Sequence, residues 1–196
     1  MAVVTIRPTS TYIPSPDYQH WSHLRVPSGT TADKTWSLVD EVVADEDTSF
    51  FQSAGTSNHS FEFMGLGATG VSEGTITNVR VNFRCRHTTA TGYSRAVVGT
   101  DTDFSYGDTK TSTASYQTFT QDWTTNPRTG SAWVWSDFTN YYFGVEGWVS
   151  ASKSYNRCTQ FYIEITYSEP STGKSFNGAL ISKFNGVSVS KINGVA

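Results

Sequence analysis

The residues able to do chemistry are few and scattered along this chain of 196 residues. His20 and His23 have the HxxH spacing of a metal-binding pair. Pro16 and Pro27 flank them, so no helix is assured to bring both rings onto one face, and no glutamate lies between them as a base. They read as a surface pair. His59, between Asn58 and Ser60, reads as a turn residue, and His87 as a rim residue at a strand end. Asp101, Asp103 and Asp108 share a loop of the kind that supplies calcium with oxygen ligands, but the pattern closed by a bidentate glutamate is missing. A solvated loop accounts for them. Glycoside hydrolysis needs two carboxylates facing each other at about 5–9.5 Å. Glu62, Glu146 and Glu164 fall on expected strands, where wet-face positions also explain them. Cys85 takes a core position with Arg84 and Arg86 pointing away, as expected of an inert thiol. Cys158 has the parity opposite to Phe161 and Ile163, so a Cys85–Cys158 bridge requires a bulge or two different sheets. There is no G-x-S-x-G, P-loop or C-x-x-C. The expectation is a chain with no catalytic residue, no metal ligand set and no cofactor.

Aromatic side chains are the remaining candidates for a site. Trp133 and Trp135 share parity, and simple alternation puts Trp148 and Tyr162 on outward faces. Such rings stack on sugars, fill subunit interfaces or simply pack, and the sequence leaves all three readings open.

The elements that must position these residues are strands. Thr75–His87 alternates, with Val79, Val81, Phe83 and Cys85 on one face and Arg80, Asn82, Arg84 and Arg86 on the other. Thr159–Tyr167 repeats the pattern, with Phe161, Ile163, Ile165 and Tyr167 inward and Tyr162, Glu164 and Thr166 outward. Ser60–Met64, Tyr93–Val98, Tyr116–Trp123 and Phe143–Val149 are further strands. One short helix is expected over Asp137–Tyr142, capped by Ser136, with Phe138, Tyr141 and Tyr142 on one side.

Composition agrees. Aromatics make up 14% of the chain and charged residues only 16%, against roughly 25% charged in an average globular protein. With 28 Thr and 25 Ser, the polar surface is built from hydroxyls, and helix formers are scarce. The reading is all-β: an antiparallel jelly-roll-like β-sandwich over residues 36–170, an extended N-terminal arm over 1–35 interrupted by four prolines, and a tail over 171–196. A net charge of −3 gives no basic footprint for nucleic acid. No apolar run is long enough to span a membrane as a helix, and the first residues lack the basic region of a signal peptide.

The tail is a repeat with a period of eight, [Phe/Ile]-Asn-Gly-[Ala/Val]-x-[Ile/Val]-Ser-Lys. Its units begin at Phe176-Asn177-Gly178, Phe184-Asn185-Gly186 and Ile192-Asn193-Gly194. Asn-Gly is a strong hairpin signal because a type I′ turn needs positive φ at both central residues. A ribbon of such hairpins has little core of its own and is expected to pair with the domain or with other chains.

Three segments carry a resemblance. Trp36-Ser-Leu-Val-Asp40-Glu41 followed by Asp45-Glu-Asp-Thr-Ser-Phe50 resembles the "W-x-L-[IV]-D-E … D-D-D-T-S-[YF]" opening of a group of tailed-phage virion proteins, with Glu46 in place of the middle aspartate. Asn126-Pro-Arg-Thr-Gly-Ser-Ala-Trp133 and Phe143-Gly-Val145 are similar to its "NP-x-TG-x-A-W-T … G-V" segment. Cys158-Thr-Gln-Phe-Tyr-Ile-Glu-Ile-Thr-Tyr167 is similar to its closing "TQ-x-Y-[VI]-E-[VI]-x-Y" strand, and the "KINGVA" tail resembles repeats that end many phage surface proteins. The resemblance implies a non-enzymatic virion subunit (capsid decoration, head fibre or tail fibre) on the particle exterior. It would self-associate as a homo-oligomer, with a trimer as first guess, and would contact other virion proteins. The alternative is a carbohydrate- or receptor-binding module of a phage or bacterial appendage, directed at a host surface glycan.

Overall fold

The computed structural model describes residues 1–12, 23–25, 36–53, 59–88, 91–100, 103–150, 154–169, 174–176, 179–181, 183–184 and 187–188. In chain order the strands are β1 (Ala2–Ile6), β2 (Pro8–Tyr12), β3 (His23–Arg25), β4 (Phe50–Gln52), β5 (Ser60–Leu66), β6 (Thr75–His87), β7 (Gly92–Gly99), β8 (Phe104–Tyr106), β9 (Lys110–Ser112) and β10 (Gln117–Trp123). Helix α1 (Asp137–Asn140) follows, then β11 (Tyr142–Val149), β12 (Asn156–Ser168), β13 (Lys174–Phe176), β14 (Ala179–Ile181), β15 (Lys183–Phe184) and β16 (Val187–Ser188).

The two alternating segments seen in the sequence make the centre of one sheet. Val79, Val81, Phe83 and Cys85 of β6 lie opposite Ile165, Ile163, Phe161 and Cys158 of β12, and all are at most 1% exposed. Burying this face of β-branched and aromatic residues removes a large apolar area from water. Sheet I runs β10–β6–β12, and the far side of β12 is shared by β1 and by β4, with β3 beyond β4. Sheet II runs β2–β5–β11–β7, and β8 and β9 share the far side of β7. All pairings are antiparallel. From β4 to β7 and again from β9 to β12 the chain changes sheet at every connection, which makes a jelly-roll-like sandwich. No helix among the described residues is long and apolar enough to cross a membrane.

The first twelve residues of the 1–35 segment are extended, but they are sandwich strands. β1 belongs to sheet I and β2 to sheet II, so the chain crosses between sheets at Arg7. The Arg7 guanidinium donates to the carbonyls of Asp40, at 3.2 Å, and Glu41. Residues 13–22 and 26–35, with the remaining prolines, lie outside the described residues.

The register of β12 slips between Cys158 and Gln160, and Thr159 is the extra residue of a β-bulge. Its buried hydroxyl lies 2.9 Å from the Ser49 carbonyl, 3.0 Å from that of Glu46 and 3.2 Å from the Asp45 carboxylate. The Phe161 N–H donates to the Val39 carbonyl at 2.8 Å, and the Gln160 amide to the carbonyls of Glu41 and Val42. These bonds hold the 38–49 segment on the sheet, with Leu38 and Val39 plugged into the core. Glu46 takes a left-handed conformation, with φ of 60°. Its carboxylate meets Arg84 at 2.6 Å, while Asp47 bridges Arg86 at 2.7 Å and Arg157 at 2.9 Å. Partial burial raises the Asp47 pKa, but the Arg86 and Arg157 hydrogen bonds outweigh it, and the carboxyl sits below its ordinary value.

Helix α1 is shorter than the sequence predicts. It ends at Asn140, because Tyr141 is extended and Tyr142 already pairs with Gly99 in the sheet. Ser136 makes no side-chain cap. The Asp137 carboxylate instead accepts the Val134 N–H at 3.0 Å and the Asn126 amide at 3.1 Å, tying the helix to the preceding Asn-Pro turn. Phe138 is core, whereas Tyr141 and Tyr142 do not continue its helical face.

Replacing Thr159 by Val keeps the shape of the bulge but takes the Thr159 hydroxyl from the buried Ser49 carbonyl, while the Glu46 carbonyl keeps the Tyr116 hydroxyl at 3.3 Å. The expected cost is about 1–3 kcal/mol, read as a lower urea midpoint at unchanged m-value.

Candidate binding face

Strand register arranges the outer face of sheet II in rows. Trp148 lies opposite Tyr93, with His59 just ahead of β5 completing that row. The next row is Phe61, Glu146 and Arg95, and the one after it is Tyr12, Phe63, Gly144, Val97 and Tyr106. Seven aromatic or imidazole rings thus share the outer face of this sheet, with Phe63 fully buried beneath its neighbours.

In the first row the rings stand side by side. His59 and Trp148 are 4.4 Å apart at 11°, and Trp148 and Tyr93 are 5.4 Å apart at 22°. Stacking covers the indole faces, so the ring edges point outward. Neither the Trp148 indole N–H nor the Tyr93 hydroxyl has a hydrogen-bond partner among the described residues. Beneath them Glu146 is 1% exposed, and its two oxygens are divided between His59 Nδ1 and Arg95 Nε. A buried carboxylate needs such pairing to offset its desolvation. The Arg95 guanidinium also lies 3.8 Å from the centre of the Tyr106 ring, which is 40% exposed, and 5.6 Å from that of Trp148.

Beyond this cluster the face is apolar. Phe104 folds inward from the sheet edge onto Phe63 at 4.7 Å, and Gly99 permits it, because a Cβ there would come within 2.2 Å of the Phe104 ring. Tyr12 and Tyr142 stack at 3.4 Å on the same face. The assembly offers aromatic edges, one planar cation, a paired carboxylate, and N–H and O–H donors without partners among the described residues.

The other aromatic candidates lie elsewhere. Trp133 is not a surface residue: it is 3% exposed, stacks on Phe138 and Phe143, and donates its indole N–H to the Trp123 carbonyl at 3.0 Å. It lies in a loop rather than on a strand, so the parity it shares with Trp135 does not set which way it faces. Trp135 is half-buried, edge-on to Tyr167 at 5.2 Å and bonded to the Gly74 carbonyl. It lines a cavity of about 280 Å³ with Val71, Phe138 and the loop before β6. Tyr162 is on the outer face of sheet I, beneath the Arg7 guanidinium at 5.1 Å. Only Trp148 joins the ring cluster. Its companions His59, Tyr93, Arg95 and Tyr106 were not singled out as a site by the sequence; the shared outward parity of Tyr93 and Arg95 was the available signal.

The three strand glutamates fall on three different faces. Glu62 lies opposite Val145 and turns inward, Glu146 faces out from sheet II, and Glu164 faces out from sheet I beside Asn82. No two of them face each other across a cleft. Asp103 pairs with Arg128 at 2.7 Å and Asp108 with Lys110 at 3.4 Å, while Asp101 lies outside the described residues, as does His20. Among the described residues no three His, Cys, Asp or Glu are arranged so that they could hold a metal ion. In the tail, Phe176 lies opposite Ala179 and Phe184 opposite Val187. The Asn-Gly pairs 177–178 and 185–186, and the unit containing Ile192, Asn193 and Gly194, lie outside the described residues.

No protein-family model and no curated protein matches the chain. Among solved structures it is similar to the CBM22-1 xylan-binding domain from Paenibacillus barcinonensis Xyn10C, at 11% identity and a TM-score of 0.38, covering 83% of this chain and 97% of that one. It is also similar to a structure described as "CBM4 structure and function", at 10% identity and a TM-score of 0.38, covering 64% of this chain and 86% of that one.

Replacing Arg95 by Met leaves Glu146 buried with His59 as its remaining partner, an expected loss of about 3–5 kcal/mol. Adding Glu146→Gln removes the stranded charge. The double variant is then less destabilised in denaturant titration than the summed losses of Arg95→Met and Glu146→Gln, a coupling that independent sites do not show.

Proposed function

We propose that the chain is a non-enzymatic binding module whose outer face of sheet II takes a carbohydrate. The observation that carries this reading is the row His59–Trp148–Tyr93 set over the Arg95–Glu146 pair. A saccharide presents C–H patches that pack on aromatic carbon, and hydroxyls that both donate and accept. The indole N–H, the tyrosine hydroxyl and the guanidinium supply donors, and the apolar Phe61–Phe104 surface excludes water beside them.

A second reading, compatible with the first, is that this module is a structural subunit on the exterior of a phage particle. Its support is the likeness of residues 36–167 to virion proteins, together with the tail. Strands β13 and β14 pair only with each other among the described residues, and so do β15 and β16. Among the described residues each two-stranded ladder has edges with no further strand on them, and such edges suit strand addition by other chains. In this reading the tail holds a homo-oligomer, a trimer in its simplest form, and contacts other virion proteins while the sandwich faces a host surface glycan.

On a broad glycan array the intact protein is expected to bind a discrete set of saccharides. Trp148→Ala should weaken that binding about tenfold or more, equivalent to about 1.4 kcal/mol. Tyr162→Ala, on the opposite sheet, should leave it unchanged. An intact protein that binds no glycan, or equal losses from both variants, overturns the reading.

Deleting residues 173–196 is expected to reduce the mass seen by light scattering from an oligomer to a monomer. An unchanged mass removes the tail from assembly.

A further inference from the structure

From the geometry of the β12 bulge we infer that Cys85 and Cys158 form a built site for an intramolecular disulfide, which the native sandwich accepts without rearrangement. The two cysteines are direct partners in the antiparallel β6–β12 ladder. Opposed residues of such a ladder have Cα atoms about 4.5 or 5.5 Å apart, according to whether the pair is hydrogen-bonded. Both values lie inside the roughly 4.4–6.8 Å window of disulfides. Without the bulge the pair would not exist. Thr159 shifts the parity of β12, so that Cys158 turns into the core together with Phe161 and meets Cys85 on the same face. The chain between them spans most of the sandwich, from β6 through β11, so a bridge would close a long loop and restrict the unfolded chain strongly.

In the folded, reduced protein both thiols are free and fully buried. Burial, and then the adjacent Cys158 thiol, push the Cys85 pKa well up, so the attacking thiolate is scarce while the sandwich stays closed. The bridge therefore forms when the core opens, during folding or transient unfolding, with a small disulfide such as oxidised glutathione as oxidant. One thiolate attacks that disulfide and releases one reduced thiol. The second cysteine then attacks the mixed disulfide and releases another. Two protein thiols are oxidised, one external disulfide is reduced to two thiols, and one S–S bond is made.

The test is to refold the full chain from denaturant in a mixture of oxidised and reduced glutathione, block remaining thiols, and map peptides without reduction. The expected product is a monomeric species, lighter by two hydrogens, whose Cys85 and Cys158 peptides are joined. Its urea midpoint should lie above that of the reduced protein and fall back on adding dithiothreitol. Cys158→Ser, compared with itself under the two conditions, should show no such shift. Separately blocked or glutathione-capped cysteines, bridges between chains, or a bridged product with a lowered midpoint would each overturn the inference. None of these readouts involves the ligand or the tail, so the result is independent of the proposed function.

Discussion

One extra residue in one strand sets much of this architecture. Thr159 breaks the two-residue period of β12, and a slip of one residue reverses every side chain beyond it. On one side of the bulge Cys158 faces the core, and on the other Phe161, Ile163 and Ile165 do so as well. The backbone groups released by the irregularity are then used. They and the neighbouring Gln160 side chain hold the segment carrying Leu38, Val39 and the acidic residues 45–47. A buried polar group left unpaired would cost more than a single hydrogen bond gains, so the bulge and its covering loop form as a unit.

The consequence for the surface is an asymmetry between the two sheets. The acidic loop lies against the outer face of sheet I, where Glu46 and Asp47 meet Arg84, Arg86 and Arg157, and Asp122 meets Arg80 at 2.9 Å. That face is an ion-pair and hydroxyl surface occupied by its own partners. The outer face of sheet II instead combines rings with a single buried charge pair. Inside, Asn156 of sheet I bonds Ser94, the Tyr93 carbonyl and Ser112 of sheet II, which ties the strand carrying the ring row to the opposite sheet. The position of the ring row is therefore coupled to the same strand that carries the bulge.

The segments that resemble virion proteins now have a physical role. Trp36–Glu41 and Asp45–Phe50 make the covering loop, Thr159 and Gln160 hold it, and Asn126–Trp133 makes the turn that anchors α1 and plugs Trp133 into the core. These are scaffold functions. His59, Tyr93, Arg95, Glu146 and Trp148 lie outside those segments. Those segments therefore bear on how the chain folds, and the ring row of sheet II lies apart from them.

Local periodicity and composition determined the fold class, the full extent of β6, the core and wet faces of β6 and most of β12, and the outward position of Trp148 and Tyr162. A strand's side chains alternate wherever it pairs, so these facts need no knowledge of partners. The tertiary structure decided what depends on partners. It built β1 and β2 into both sheets, ended α1 at Asn140, sank Trp133, separated the three glutamates onto three faces, and placed Cys158 against Cys85. It also brought together Trp148 of β11, Tyr93 and Arg95 of β7 and His59 just ahead of β5, which only register sets in adjacent rows. Register is a property of strand pairs, fixed by bulges, turns and core fit, and no single strand of sequence contains it.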